Sequence, residues 1–453
     1  MRRTLASMSI PAAAILALAG VTHGQATFEW IGQGVGVTNL SEDGTVAVGN
    51  TIADAVYETF RWVRGDEAGW QRLGRATTPI TGSGAGGPQV SYDGTRVSAT
   101  IIDDTLTAQT WGRWTAGQGW EQFIPPFPPD ADPFSNSYAS TWCMSGDGAS
   151  VGGFYWANAT GQPFGSAARP ALWTDGVGVV AHDPVLPGTN ARINGTSFDG
   201  SVCAGYSEDS FGSWMPTVWR DGAATWLVPD LGAGNNVFTI AYDVSGDGSV
   251  VVGQAFNPPA LRREAARWVW NGTSYDMDII GVLPGTPQTD VGQVWASSVS
   301  DDGSVIVGTN RFFDNGPFST VTGFVWTEET GMRDILDIMA ENGLAFPDEL
   351  WVVHDLVVSP DGNAIGGIVL NQNITAFLDY WSFVIYLPPA PACDGDVNGD
   401  GVTDVFDFSE LAANFGAGPG ATREQGDITG DGFVDVFDFS ELAADFGCSV
   451  LVD

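Results

Sequence analysis

Seven times along the chain an apolar run, a short polar turn and a second apolar run follow one another in the same order. Each turn reads Ser-x-Asp-Gly, and the turns begin at Ser41, Ser91, Ser145, Ser197, Ser245, Ser300 and Ser359, which are 50, 54, 52, 48, 55 and 59 residues apart. Runs such as Val35 to Leu40 and Gln293 to Val299 lead into a turn, and runs such as Thr45 to Gly49 and Ser304 to Gly308 lead out of one. Asp-Gly between two β-rich runs predicts a hairpin. A third run follows in every unit and carries a tryptophan, at Trp62, Trp114, Trp173, Trp219, Trp268, Trp326 and Trp381; several units add a short fourth run, such as Trp70 to Gly74. Four strands in each of seven repeats predict an all-β fold, a seven-bladed β-propeller over residues 27-387.

The ends of the array favour a closed ring. Phe28-Glu29-Trp30-Ile31-Gly32 reads as the fourth strand of a unit with nothing before it, and the seventh unit runs out at Leu387, so one half-unit can complete the other. Closing the ring in this way removes exposed sheet edges. Ile374 to Leu387 is apolar enough to hold either one long strand or two. One helix is expected, from Asp334 to Asn342, where Ile335, Leu336, Ile338 and Met339 form an apolar stripe ended by Asn342 and Gly343; it reads as an insert after the sixth unit. The spacing and the Ser-x-Asp-Gly turn resemble WD-type repeats. Ala266-Arg267-Trp268 after Val250 to Gly253 resembles more closely the HAF repeat of bacterial exported proteins.

Within the array the polar residues fit structural roles. Ser and Asp at turns hydrogen-bond their own backbone, and one tryptophan per unit at a fixed place fits packing between adjacent sheets better than sugar stacking. Gly82-Ser83-Gly84-Ala85-Gly86-Gly87 satisfies G-x-G-x-x-G, but a strand follows it where a dinucleotide site needs a helix. His354-Asp355 stands where an inner strand could line a central channel, and a structural hydrogen bond is the simpler reading. No H-E-x-x-H, nucleophile elbow or P-loop occurs.

Charge and composition narrow the class. The formal charge is -37, with 54 acidic residues against 17 basic ones, which excludes nucleic acid as a partner. Arg2 and Arg3, the apolar stretch Ile10 to Val21 and the small residues Gly24 and Ala26 predict a signal peptide over 1-26. No later stretch is long enough for membrane insertion, so an exported, extracellular or surface-attached protein is expected. Four cysteines in an exported chain can pair, and their positions suggest Cys393 with Cys448 and, more loosely, Cys143 with Cys203, with connectivity open.

After Leu387 the composition changes to a stiff linker over 388-392, Pro388-Pro389-Ala390-Pro391-Ala392, and a new module starts at Cys393 and occupies 393-453. Asp396, Asn398, Asp400, Gly401 and Asp407 hold positions 1, 3, 5, 6 and 12 of an EF-hand loop, and Asp427, Thr429, Asp431, Gly432 and Asp438 hold them again 31 residues on. Ca²⁺ requires about six to eight hard oxygens around one centre, and a glycine at position 6 makes the sharp turn that gathers them. The carbonyls of Val402 and Phe433 would supply the seventh position, and Asp404 and Asp435 the ninth, so two ions are expected. Thr429, a neutral donor, predicts weaker binding at the second site.

Asp in place of Glu at position 12 departs from sensor EF-hands and resembles dockerins. So does the string D-V-F-D-F-S-E-L-A-A that begins each following helix, at Asp404 and again at Asp435. That resemblance implies a calcium-dependent domain that binds a cohesin-like partner. Where cellulosomal dockerins often carry Ser-Thr at positions 10 and 11, this chain has Val405-Phe406 and Val436-Phe437, the expected partner contacts. Gly447-Cys448 resembles a dockerin variant that anchors exported bacterial proteins. The function expected is therefore a secreted non-enzymatic propeller tethered by its dockerin-like module, with an extracellular glycan as a further ligand of the ring. The competing class is a carbohydrate-active enzyme, a glycoside hydrolase or polysaccharide lyase.

Overall fold

A computed structural model describes residues 26–51, 58–74, 86–102, 109–124, 139–158, 166–228, 239–286, 293–312, 320–346, 351–371, 380–387, 393, 395–398 and 402–448. The expected signal peptide, the Gly-rich stretch 82–85 and the linker 388–392 lie outside them. The chain divides into two compact units, one within residues 26–387 and one within 388–450.

The larger unit is mostly β. Its strands form antiparallel meanders of four: five separate four-stranded sheets and one eight-stranded sheet, in which two such meanders meet through a single parallel bridge, Arg263 to Gln293. The innermost strand of each meander is the run that enters a Ser-x-Asp-Gly turn: Val35–Leu40, Gln89–Val90, Ala139–Met144, Ala191–Thr196, Ile240–Val244, Gln293–Val299 and Trp351–Val358. These head sheets one to seven in chain order. The seventh contains only three consecutive strands, and Thr27–Gln33 pairs antiparallel with Tyr380–Tyr386 as its fourth. The run after Ile374 thus holds one described strand, because the N-terminal segment occupies the edge a second would need.

Each turn is wired the same way. The serine hydroxyl donates to the aspartate two residues on at 2.5–3.3 Å and accepts the main-chain N–H five residues on at 2.8–3.0 Å. The aspartate in turn accepts the N–H two residues beyond itself at 2.8–3.0 Å. The repeated Ser and Asp therefore close hairpins, which accounts for their recurrence without any chemistry.

Neighbouring turns are joined by main-chain hydrogen bonds that form a cycle. Glu42 N–H donates to Tyr92, Tyr92 to Gly146, Asp147 to Phe198, Phe198 to Gly246, Asp247 to Asp301, Asp301 to Pro360, and Asp361 back to Glu42. The apolar clusters repeat this order. Each joins one sheet to the next, from Val46, Val48, Val90 and Val97 between sheets one and two to Leu40, Phe60, Ala364 and Val384 between sheets seven and one. The tryptophans of the third strands pack at these contacts, where Arg61, Arg113 and Arg267 lie over Trp114, Trp173 and Trp326 of the following sheet at 5.7, 4.9 and 4.3 Å.

The glycine that ends the second apolar run also has a cause. Five of the innermost strands carry a bulge directly opposite it, at Val37/Asn39, Thr141/Cys143, Ile193/Gly195, Ala241/Asp243 and Ala296/Ser298. A Cβ at Gly253 would come within 2.2 Å of the Ile240 carbonyl oxygen, and one at Gly205 within 1.9 Å of that of Arg192, so only glycine clears the bulged backbone. Helix α1, Ile335–Glu341, is capped by the Asp334 carboxylate and buries Ile335 and Met339 against sheets six and seven.

The suggested bridge between Cys143 and Cys203 is not formed: both are buried free thiols. They share one cluster with Leu172, Ile193 and Trp219 but come from different sheets, and the Cys203 sulfur faces the Thr196 hydroxyl at 3.6 Å and the Gly200 carbonyl at 3.8 Å. Burial raises both thiols, Cys203 to about 12, so neither supplies a reactive thiolate at neutral pH.

Candidate metal centre and docking face

The smaller unit is built on two loop–helix repeats. Helices α2, Val405–Asn414, and α3, Val436–Asp445, each begin with a reciprocal capping box. Asp404 and Asp435 cap Phe406 and Phe437 N–H at 2.7 and 2.8 Å, while Asp407 and Asp438 accept the N–H of Asp404 and Asp435, both at 2.8 Å. The second oxygen of each twelfth-position carboxylate turns into its loop: that of Asp407 accepts Val397 N–H at 2.8 Å and Asn398 N–H at 3.0 Å, and that of Asp438 accepts Thr429 N–H at 2.9 Å. Asp407 and Asp438 are fully buried, although the only base in the module is Arg423. Burial opposes ionisation of Asp438, and the donors from Thr429 and Asp435 outweigh it, holding the carboxyl below its ordinary value.

In the second loop Asp427 accepts Gly430, Asp431 and Gly432 N–H at 2.8, 3.1 and 2.8 Å, and Asp431 accepts Phe433 N–H at 2.9 Å. Gly432 has φ 86°, the left-handed conformation that position 6 requires. The donor set fits Ca²⁺: hard oxygens only, with the left-handed glycine at position 6 in place in the second loop. The carboxylates themselves are not drawn together. Among the described residues the one group of three candidate ligands within 4.8 Å of each other is Cys393, Asp445 and Cys448, and its two sulfurs are committed to a disulfide. Asp400 and Gly401 of the first loop lie outside the described residues; Asp396, Asn398, Val402 and Asp404 lie within them.

The repeats strap each other. Thr403, at position 8 of the first loop, exchanges main-chain hydrogen bonds with Gly447 and Cys448 after α3, and Val434, its counterpart 31 residues on, does the same with Gly416 and Ala417 after α2. A small core of Val397, Leu411, Val434 and Leu442 lies between the helices. The Cys393–Cys448 disulfide holds the two ends, with Cα atoms 5.5 Å apart. Asp445 adds a clamp absent from any sequence signal: its carboxylate accepts Gly395 N–H at 2.6 Å and the Thr403 hydroxyl at 2.8 Å.

The expected partner contacts stand out on the surface. Phe406 and Phe437 are 64% and 66% exposed, and Val405 and Val436 are 56% and 60% exposed. Phe408 and Phe439 meet edge to face with ring centroids 5.9 Å apart. Aromatic side chains this open, repeated on two helices, are apolar surface left uncovered by the described residues.

In the larger unit the last residues of all seven innermost strands surround a small polar cavity of about 40 Å³, lined among others by Asn39, Gln89, Tyr92, Asp243 and Ser298. Burial pushes Asp243 up to about 6 and also raises Asp355. Asp243 accepts the N–H of Val244 at 2.9 Å and of Val299 at 3.2 Å, and Asp355 accepts Leu356 N–H at 3.0 Å and the Thr309 hydroxyl at 3.4 Å, so each ties its strand to sheet six. His354 is exposed, and its carbonyl accepts the Thr309 hydroxyl at 3.0 Å.

Residues 394–446 match the family model of the dockerin type I domain. Dockerin domains take calcium and bind cohesin domains in extracellular assemblies, which is the class of the C-terminal module. No curated protein matches the chain. Similar solved structures include TolB from Acinetobacter baumannii (15% identity, 65% of this chain and 64% of that chain, TM-score 0.40) and the β-propeller domain of the Trilobed protease from Pyrococcus furiosus (10% identity, 75% and 92%, TM-score 0.46). A third is oligogalacturonate lyase from Vibrio parahaemolyticus (10% identity, 81% and 98%, TM-score 0.44). The chain spans just under two thirds of the TolB structure, 64%. Among the described residues no helix is long and apolar enough to cross a membrane.

Proposed function

We propose that this is an exported protein whose seven sheets form a seven-bladed propeller, held at the cell surface or in an extracellular assembly when its C-terminal module, loaded with two Ca²⁺, docks onto a cohesin-like domain. The cyclic hydrogen bonds between turns and the seven sheet-to-sheet clusters support the ring. Asp396, Asn398, Asp400, the Val402 carbonyl, Asp404 and Asp407 would hold one ion, and Asp427, Thr429, Asp431, the Phe433 carbonyl, Asp435 and Asp438 the other. The ions supply fixed positive charge that neutralises the loops, and the caps at Asp404 and Asp435 then orient the helix starts.

The observation that carries docking is the exposed Val-Phe pair on each helix, placed one residue past a loop carboxylate. Calcium that orders the loop would therefore order the docking face with it. Binding of the full chain to an immobilised cohesin domain is expected with calcium present and lost in a chelator. Phe406→Ala combined with Phe437→Ala is expected to weaken it about 100-fold, the scale of a buried aromatic anchor. Undiminished binding in chelator, or by the double variant, would refute the reading.

A further inference from the structure

Arg192 lies on Ala191–Thr196, the innermost strand of sheet four, and its guanidinium sits 3.5 Å from the ring centroid of Trp142 on the innermost strand of sheet three. Its Nε donates to the Asn194 side-chain oxygen at 2.7 Å. Tyr206, its cross-strand neighbour, is 5.2 Å from the guanidinium, and Trp214, stacked on Tyr206 at 4.4 Å, is 6.0 Å away. Tyr242, from the innermost strand of sheet five, stands within electrostatic reach of Arg192. Burial, with Asp355 adding to it, pushes the Tyr242 phenol up to about 12, so it is a hydrogen-bond donor at neutral pH.

The guanidinium has no carboxylate partner among the described residues. Among the described residues its two terminal nitrogens make no hydrogen bond, and neither does the Tyr242 hydroxyl. The two buried arginines are paired, Arg113 with Asp175 at 3.0 Å and Arg262 with Glu264 at 2.5 Å, whereas half-buried Arg192, like Arg220 over Trp270 at 4.4 Å, makes no ion pair among the described residues. Arg192 is half-buried, and its partial desolvation among the rings lowers its pKa. A planar fork of donors between aromatic walls matches a carboxylate held through two parallel bonds.

We propose that Arg192 and Tyr242 form an anion site between the innermost strands of sheets three, four and five, which takes the carboxylate of a ligand on the two terminal guanidinium nitrogens and the phenol hydroxyl. Trp142, Tyr206 and Trp214 exclude water from one side and offer ring faces to the body of the ligand. The carboxylate can come from a small free acid or from a uronic acid of a polysaccharide. The site does not depend on docking: it requires only that these three strands be neighbours, and it stands if the C-terminal module binds no calcium.

The test is saturation-transfer difference NMR on the full chain at neutral pH, with sodium acetate, sodium glucuronate and glucose as probes. An anion should receive transfer and glucose should not. Glucuronate at least tenfold tighter than acetate assigns the site to acidic sugars, and equal affinities assign it to small free acids. Arg192→Gln is expected to weaken the anion at least tenfold and Tyr242→Phe several-fold. Should Arg192→Gln fail to fold, Tyr242→Phe decides alone, because it removes one hydroxyl that has no partner. The proposal is overturned if neither anion binds, if glucose binds as well as glucuronate, or if Tyr242→Phe binds as the unaltered chain does.

Discussion

Removing Thr27–Gln33 is expected to abolish cooperative folding of the larger unit. That strand supplies the fourth edge of the seventh sheet through six residue pairs, from Thr27 with Tyr386 to Gln33 with Trp381. It also carries the buried Ile31 into the cluster between sheets seven and one. Phe28 stacks on Phe383 at 5.5 Å, and Trp30 meets Trp381 edge to face at 5.4 Å. Truncating one fully buried aromatic costs about 3–5 kcal/mol. Two half-buried aromatics, one buried isoleucine and a row of strand hydrogen bonds together approach the ~5–15 kcal/mol by which a typical domain is stable. The loss would also leave the strand Tyr380–Tyr386 with a bare edge. Calorimetry should show the main transition of the full chain lost or strongly lowered and broadened, and Trp30→Ala alone should lower it by a smaller step. An unchanged transition after the deletion would mean that three strands suffice for the seventh sheet.

The second large effect belongs to the disulfide. Replacing Cys393 and Cys448 by serine opens a loop with a sequence separation of 55, and the chain-entropy relation puts the cost near 4 kcal/mol. A module whose apolar core is four buried side chains has little to set against that loss. Main-chain amides of α2 and α3 should then exchange with solvent about a thousandfold faster in calcium-free buffer. Saturating calcium should recover part of the protection, since an ion that binds only the folded loop adds its binding free energy to stability. Equal exchange in both forms would show that the Asp445 clamp and the straps at Thr403 and Val434 carry the fold by themselves.

Much of this was legible in the sequence because it is local. A Ser-x-Asp-Gly turn is closed by atoms within five residues of each other, so its wiring follows from the motif. The two loop–helix repeats are likewise dictated within twelve residues, down to the carboxylates that cap α2 and α3. The glycine after each turn was visible as a pattern, although its cause, the bulge on the facing strand, is a property of two paired backbones. What the sequence left open depends on which distant elements become neighbours. Cys143 and Cys203 come from neighbouring sheets and share one cluster, yet both stay thiols. Asp445 gains its role only where the end of α3 meets the start of the first loop. Arg192 looks like any other arginine until the neighbouring strands surround it with rings and offer it no carboxylate.

The account turns on calcium ordering the C-terminal loops. Calorimetric titration of calcium into the chelator-treated full chain, followed in parallel by amide exchange of α2 and α3, tests this directly. Two ions per chain, the second bound more weakly through Thr429, with exchange slowing in both helices, is the predicted result. No heat and no change in exchange would contradict it.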